Sequence, residues 1–202
     1  MSTPGSRALA FVWLASLLVI GAPCARPPAA EPEWPQQADE RAPRDREVEA
    51  VRTRLAPHAR DLGPEAIDAL ASAVVQASRA QALQPTLVLA VMEVESRFDP
   101  YAVSGKGAVG LMQLLPSTGA EVAHRVGIPW RGARTLFDPQ ANVQLGAAYL
   151  RELLDRYASV RVALAAYNEG PGQIEARLRE GASLPVRYPE RVLGAYWERA
   201  TD

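Results

Sequence analysis

The chain of 202 residues has one cysteine, two histidines and a formal net charge of only −1, and each of these scarcities excludes a class of protein. Because Cys24 is the only cysteine, the part of the chain that follows it must fold without a disulfide bond. His58 and His124 lie far apart in the sequence and form no ligand set, so we predict neither a metal nor another cofactor. A nearly neutral chain has no overall basic field, so we also expect no nucleic-acid partner.

The longest uncharged apolar run is shorter than a typical membrane-spanning helix. It covers the fifteen residues 8–22, directly after a start that contains Arg7, whereas a spanning helix needs about twenty apolar residues. A short cationic lead, an apolar run and then small residues are typical of a secretory signal, which we predict over residues 1–24. An uncleaved membrane anchor and a lipid on Cys24 are the alternatives. Lipidation is disfavoured because Pro23 fits poorly into a peptidase that grips an extended strand.

Two segments separate this signal from the part of the chain that can fold. Residues 25–46 contain five prolines among alanines and mixed charges, which predicts a disordered linker. Residues 47–62 have a weak helical pattern with interleaved opposite charges, as on a solvated helix face. Residues 63–200 repeat apolar positions at helical spacing without a long alternating pattern, so we predict an all-α domain there. The glycines of residues 104–113 interrupt the helices and allow at most a short β-hairpin.

Prolines and an aspartate mark the starts of the predicted helices. Pro64, Pro85 and Pro116 each suit the first turn of a helix. The strongest pattern follows Asp138 as N-cap and runs to Tyr157. Further helices are predicted over residues 160–167, 172–179 and 188–199.

Two glutamates in the stretch "LAVMEVESRFDP" lie two positions apart and should therefore occupy different environments. Residues two apart on a helix point to nearly opposite sides. Glu95 follows Val91 by four positions and continues the apolar stripe toward the core. Glu93 instead has Arg97 four positions later, which favours an ordinary surface ion pair. A carboxyl group on an apolar face should have a raised pKa, as a general acid near neutral pH requires, although a hydrogen-bonded buried glutamate without a catalytic role is the alternative.

Four segments, the first beginning with Glu95, follow one another in a specific order. They read "ESRFDPYAVS", "GAVGLMQLLPST", "NVQLGAAYL" and "ALAAYNEGPG". In this order and with these gaps the chain resembles the soluble lytic transglycosylases, lysozyme-like enzymes that cleave the glycan strands of bacterial peptidoglycan. The resemblance covers residues 67–197 and implies a lysozyme-like helical fold.

The resemblance implies a catalytic role for Glu95, which matches the single catalytic acid of the family. That acid protonates the glycosidic oxygen between N-acetylmuramic acid and N-acetylglucosamine. It then acts as a base toward the sugar's own 6-hydroxyl, which closes a 1,6-anhydro ring. Most glycosidases instead pair two carboxylates. The next acids after Glu95 are Asp99, which resembles a helix-stop residue before Pro100, and Glu121, deep in another helix, so we expect a cleft with one carboxylate.

The same resemblance implies a set of substrate-binding residues. These candidates are Ser104, Gln113, Tyr149, Tyr167, Asn168 and Tyr188. Tyr149 fits a core aromatic equally well, and Asn168 fits the cap of a turn equally well. Gly105, Gly107 and Gly110 are expected to let the backbone approach the sugar closely.

One segment departs from the family pattern. In "LPVRYPERVL" Tyr188 is retained, but no acid precedes it and Pro189 stands where relatives usually have valine. The sequence therefore leaves open the lower wall of the cleft, and with it the choice of glycan length or peptide decoration.

Together these features predict an exported peptidoglycan lytic transglycosylase in the periplasm of a Gram-negative bacterium, with peptidoglycan glycan strands as its partner. A hydrolytic muramidase on the same scaffold is one alternative. A catalytically idle glycan-binding subunit of an envelope-spanning secretion or conjugation system is another. Opening the wall locally for such machinery is also compatible with the sequence. We expect a monomer, although the sequence does not determine the oligomeric state.

Overall fold

The structure, a computed structural model, describes residues 44–57 and 62–201. The predicted signal peptide, most of the predicted linker and His58 lie outside the described residues. Within these two stretches the chain forms eight α-helices and one 3₁₀ helix: α1 Arg44–Leu55, α2 Pro64–Ala80, α3 Pro85–Ser96, α4 Pro116–Val126, the 3₁₀ helix Ala133–Phe137, α5 Pro139–Arg156, α6 Val160–Glu169, α7 Pro171–Glu180 and α8 Arg187–Thr201. None of the described helices combines the length and hydropathy that a membrane crossing requires.

The predicted all-α class is confirmed, and prolines stand at the predicted helix starts. Helices α2 to α5 each begin at a proline, whose missing N–H would have no intrahelical partner at that position. Asp138 caps α5 as predicted, since its carboxylate accepts a hydrogen bond from the Ala141 N–H at 3.0 Å. In place of a hairpin, the glycine-rich interval has isolated β-bridges that join Val109 to Val103 and to Leu114.

Helix α1 differs from its prediction as a solvated segment. It begins at Arg44, inside the predicted linker, and packs against α2. Val51 and Leu55, four positions apart, are both buried, and Glu47 forms an ion pair with Arg79 of α2 at 2.8 Å. Two apolar residues on one face are therefore enough to bury that face, although charges surround them in the sequence.

Helix α3, which contains Glu95, is buried over most of its length. Its residues 87–92 are all buried, so it has no solvated stripe over that part. Helix α8 packs along α3. At the start of α3, the Tyr196 hydroxyl of α8 donates a hydrogen bond to the side-chain oxygen of Gln84 at 2.7 Å. This contact and a second one near Glu95 join α8 to α3 at two places along their length.

Helix α5 is the central element of the remaining helices. It packs against α2, α4, α6 and the 3₁₀ helix. Its buried residues are Asn142, Val143, Leu145, Gly146, Ala147, Ala148, Leu150 and Leu153. One of these, Asn142, is polar, and its contacts determine the shape of the glycine-rich loop beside Glu95.

Candidate active site

The chain reverses direction directly after Glu95. Helix α3 ends at Ser96, and the next two residues, Arg97 and Phe98, have left-handed backbones with φ of 54° and 66°. Non-glycine residues in such conformations cost about 1–3 kcal/mol each and persist only where surrounding contacts hold them. Phe98 is buried, and the Ser96 hydroxyl lies 2.8 Å from the Leu111 carbonyl oxygen. The end of α3 is thus joined to the glycine-rich loop, which places Glu95 beside that loop.

Burial gives Glu95 the protonation behaviour that its sequence position predicted. The side chain is half-buried in the last turn of α3, and this burial raises its pKa to about 7. A hydrogen bond from Tyr188 and the positive charge of Arg191 act in the opposite direction, because both favour the ionised form. Near neutral pH, Glu95 therefore populates both its protonated and its ionised state, as a group that acts first as an acid and then as a base requires.

The two glutamates of α3 occupy separate environments, as their spacing indicated. Glu93 lines an open groove between α3 and α8, together with Arg97 and Arg191. Glu95 lines a different cleft, between the glycine-rich loop and the α6–α7 turn.

Tyr188 contacts the candidate acid directly. Its hydroxyl donates a hydrogen bond to Glu95 Oε1 at 2.5 Å, and its side chain is buried. Burial and the charge of Glu95 raise the pKa of Tyr188 well above its ordinary value, so the phenol stays protonated and remains a donor. The departure at Pro189 is harmless to this contact, because Pro189 lies in the first turn of α8, where proline is tolerated.

Removing the phenol oxygen should change how Glu95 titrates. In Tyr188→Phe the ionised carboxylate loses a donor, so the pKa of Glu95 should rise and the basic limb of the pH–rate profile should move to higher pH. Because a hydrogen bond to a charged group contributes about 1.5–3 kcal/mol, digestion of peptidoglycan should slow by at least about tenfold at the optimum. Tyr196→Phe, which removes the other tyrosine hydroxyl that bonds α3, is the control and should leave the profile in place. An unshifted profile in Tyr188→Phe would show that the contact does not influence the acid.

The cleft beside Glu95 has a volume of about 560 Å³. It brings together Glu95 and five of the six predicted substrate-binding residues: Ser104, Gln113, Tyr149, Tyr167 and Asn168. The sixth, Tyr188, reaches the same place through its bond to Glu95. Residues spread over more than ninety positions of the sequence thus surround one carboxyl group.

Gln113 is held in one orientation by the loop itself. Its backbone is left-handed, with φ of 47°, and its side-chain Nε2 donates to the carbonyl oxygens of Ala102 and Gly110 at 3.0 and 2.9 Å. Both amide hydrogens are therefore committed, which leaves Oε1 as an acceptor for an N–H or O–H group. Ser104 closes the same loop, because its Oγ accepts a hydrogen bond from the Ala108 N–H at 3.0 Å.

Gly110 has a packing role that the sequence did not predict, and it is not among the residues that line the cleft. Its φ is +79°, and a Cβ added there would lie 2.3 Å from Asn142 Nδ2 and 2.5 Å from the Leu136 carbonyl oxygen. Gly105 does line the cleft, and Gly107 has a left-handed backbone with φ of 80°.

Asn142 organises the loop and was missed in the sequence. Its Oδ1 accepts a hydrogen bond from the Met112 N–H at 2.8 Å. Its Nδ2 donates to the Val109 and Leu136 carbonyl oxygens, both at 2.9 Å. The signal was present, because Asn142 lies on the apolar stripe of α5 as Glu95 does on that of α3.

Two tyrosines form one wall of the cleft. The rings of Tyr149 and Tyr167 have centroids 5.3 Å apart and are tilted by 44°. Tyr149 is half-buried in the cleft, so it is not a fully enclosed core aromatic. The Tyr167 hydroxyl donates to the Met112 carbonyl oxygen at 2.9 Å. Tyr167 and Asn142 thus both fix the loop at the backbone of Met112.

The α6–α7 turn adds a second carboxylate to the cleft. Helix α6 continues through Asn168 to Glu169, and the turn begins at Gly170, with φ of 90°. Asn168 is therefore an exposed residue of the last helical turn rather than the cap of a turn. Glu169 also lines the cleft, so the expectation of a single carboxylate there was wrong. The raised pKa of Glu95 is caused by burial, and Tyr188 and Arg191 offset part of this rise.

The described residues contain no group of three or more histidine, cysteine, aspartate or glutamate side chains arranged to hold a metal ion. The residues around Glu95 support proton transfer by its carboxyl group, with Tyr188 as the hydrogen-bond donor to that group.

Comparison with known proteins identifies the family. The family model described as the transglycosylase SLT domain matches residues 72–185, which include Glu95 and the cleft residues of the loop and of α5 and α6. The chain belongs to the transglycosylase SLT family. The resemblance seen in the four sequence segments is thereby confirmed.

Curated relatives in the SLT family match a little under half of this chain. A transglycosylase of Enterobacteria phage PRD1 is 44% identical over 91 residues, which are 45% of this chain and 31% of the relative. Membrane-bound lytic murein transglycosylase C of Actinobacillus pleuropneumoniae serotype 5b is 39% identical over 102 residues, or 46% of this chain and 28% of the relative. The chain thus spans less than a third of the length of either relative.

A solved structure also matches the SLT fold. The lytic transglycosylase Slt of Pseudomonas aeruginosa, solved as an inactive mutant, has a TM-score of 0.59 and 28% identity. The match covers 79% of this chain and 31% of that chain. The 70 kDa soluble lytic transglycosylase of Escherichia coli, at 23% identity and a TM-score of 0.57, supports the fold alone. These matches confirm a lysozyme-like helical fold.

Proposed function

We propose that the protein is a peptidoglycan lytic transglycosylase that cleaves the β-1,4 bond between N-acetylmuramic acid and N-acetylglucosamine. The observation that carries the proposal is Glu95, a half-buried carboxyl group with a pKa of about 7 in a cleft of an SLT domain. Relatives named as lytic murein transglycosylases support this substrate and reaction.

In the first step, protonated Glu95 donates its proton to the glycosidic oxygen, and the bond from that oxygen to C1 of the muramic acid breaks. Burial keeps Glu95 protonated until the substrate binds, because it destabilises an ionised carboxylate in the resting site. Once the proton has left, the hydrogen bond from Tyr188 stabilises the carboxylate that remains.

In the second step, ionised Glu95 accepts a proton from the 6-hydroxyl of the same muramic acid. The 6-oxygen then bonds to C1 and closes the 1,6-anhydro ring, so no water is consumed and Glu95 is protonated again. Gln113 Oε1 is the acceptor we assign to an N–H or O–H group of the bound sugar, because its amide hydrogens are engaged by the loop. Ser104, Tyr149, Tyr167 and Asn168 complete the substrate-binding surface in this proposal.

A hydrolytic muramidase is the second candidate, and Glu169 is the observation that favours it. Most hydrolytic glycosidases, both retaining and inverting, use two carboxylates that flank the bond, and Glu169 lines the same cleft as Glu95. However, Glu169 forms an ion pair with Arg177 at 3.5 Å, whereas Glu95 has the raised pKa that a proton donor near neutral pH requires. We therefore retain a mechanism with one catalytic carboxyl group.

The products distinguish the two reactions. Purified sacculi digested by the protein should release muropeptides that end in 1,6-anhydro-muramic acid, which are lighter by one water per cleaved end than reducing ends. Mass spectrometry of the released fragments measures this difference. Reducing ends alone would replace the proposal with hydrolysis, and undigested sacculi would favour an idle glycan-binding subunit.

We place this activity in the periplasm of a Gram-negative bacterium. The supporting observations are the signal-like residues 1–24 and relatives that are named for murein.

A further inference from the structure

Glu169 holds a position in the cleft that the proposed reaction does not use. It is the last residue of α6, directly before the turn at Gly170, and it lines the same cleft as Glu95. Its nearest ionic partner among the described residues is Arg177 of α7, with Nη2 lying 3.5 Å from Oε2. Glu169 is therefore part of the cleft wall, and Arg177 contacts one of its two carboxylate oxygens.

Two features make this placement unfavourable without a further partner. An acid at the C-terminal end of a helix meets the negative end of the helix dipole, which disfavours it. Oε2 is shielded from solvent and accepts no hydrogen bond from the described residues, so the contact with Arg177 is its only compensation there. Buried polar atoms without a hydrogen bond are uncommon and call for an explanation.

The charges of the cleft point to a charged ligand group. Asn168 and Gln173, on either side of Glu169, are neutral side chains that would suffice for sugar hydroxyls. Lys106 of the glycine-rich loop also lines the cleft, so the cleft presents one cation besides its carboxylates. The glycan backbone of peptidoglycan is uncharged, whereas the peptides it carries bear both carboxylates and primary amines.

We propose that Glu169 is a specificity-determining residue that binds a primary ammonium group of the peptide carried by the glycan substrate. The proposal rests on the function proposed above and adds to it the part of the substrate that the α6–α7 turn recognises. Arg177 holds the carboxyl group in place through Oε2, which leaves Oε1 for the ammonium group. The alternative is that the ion pair between Glu169 and Arg177 only stabilises the packing of α7 against α6.

The test compares intact sacculi with sacculi whose free amines have been N-acetylated, which removes the positive charge and leaves the glycan unchanged. The unmodified protein should digest intact sacculi about fivefold faster than acetylated ones, the scale of one partly exposed ion pair. This preference should shrink as salt is added. Glu169→Gln should digest the two preparations at equal rates. Glu175→Gln is the matched control, because Glu175 is also paired, with Arg156, yet lies outside the set of cleft-lining residues.

Each other result overturns the proposal in a distinguishable way. If the unmodified protein digests both preparations equally, the subsite is wrong while the lytic function stands. If Glu169→Gln keeps the preference, the carboxyl group only ties the helices together. If Glu169→Gln folds but digests neither preparation, Glu169 is a second catalytic carboxylate. If the unmodified protein digests neither, the proposed function itself fails, and the subsite fails with it.

Discussion

Glu95→Gln should lower the rate of peptidoglycan digestion by about 1,000-fold, because the amide can neither donate a proton to the glycosidic oxygen nor accept one afterwards. Release of soluble muropeptides from purified sacculi measures this loss. Glu93→Gln is the matched control on the same helix, since Glu93 faces the separate groove between α3 and α8. We expect its digestion rate to stay within about threefold of the unmodified protein, which is under 1 kcal/mol. Residual digestion by Glu95→Gln at a tenth of the normal rate would contradict a mechanism that depends on this carboxyl group.

The same variant should be more stable than the unmodified protein at alkaline pH, which shows that its inactivity does not come from unfolding. The folded-state pKa of Glu95, about 7, lies above the ordinary value of 4.5, so the folded state binds this proton more tightly than the unfolded state. The stability from that proton is complete below about pH 4.5 and is lost as pH rises through 7. Glutamine cannot ionise, so at pH 8 Glu95→Gln should gain up to about 3 kcal/mol in the free energy of unfolding.

Urea unfolding at pH 4 and pH 8 measures this gain. The two proteins should have similar stabilities at pH 4, where the side chain at position 95 is uncharged in both folded proteins. Their stabilities should diverge at pH 8. A constant difference between them at both pH values would show that Glu95 ionises like an exposed glutamate. That result would contradict both the raised pKa of Glu95 and its proposed role as the acid.

Local rules predicted the helices and the candidate acid well. The prolines at the starts of α2 to α5 and the cap at Asp138 act within one helical turn, so the sequence alone exposes them. Glu95 was found because helical periodicity places it on an apolar stripe. The raised pKa follows from that burial, since desolvation is its largest cause.

Contacts between distant segments were beyond these rules. Tyr188 bonds Glu95 across 93 positions of the sequence, and the packing of α8 along α3 decides that contact. From the sequence, Gly110 indicated a flexible backbone. In the structure, a glycine is needed there because Asn142 of α5 packs too closely for a Cβ atom. Helix α6 was predicted to end at residue 167, whereas it continues to Glu169 and places this residue in the cleft wall.

Asn142→Ala should lower the free energy of unfolding by about 3–5 kcal/mol, the largest loss we expect from a single polar side chain of the described residues. Three buried backbone groups lose their partners: the Met112 N–H and the carbonyl oxygens of Val109 and Leu136. Each unsatisfied buried group costs about 1–3 kcal/mol, and water entering the vacated space offsets part of the sum. Urea unfolding measures the loss.

Gln140→Ala is the control for this substitution. Gln140 is exposed in the first turn of the same helix, so its replacement should change stability by no more than about 0.5 kcal/mol. A loss below about 1 kcal/mol in Asn142→Ala would mean that water replaces all three hydrogen bonds, and that the loop does not depend on this side chain.

Below its unfolding temperature, Asn142→Ala should also separate the geometry of the loop from the chemistry of the acid. Gln113 is oriented by bonds to the Ala102 and Gly110 carbonyl oxygens, and Gly110 packs directly on Asn142. A loosened loop should therefore raise KM for glycan fragments. The pH–rate profile should stay in place, because burial, Tyr188 and Arg191 set the pKa of Glu95. Since Tyr188→Phe should instead move that profile, the two variants divide the site into a part that holds the sugar and a part that holds the proton. A profile shifted by Asn142→Ala would refute this division.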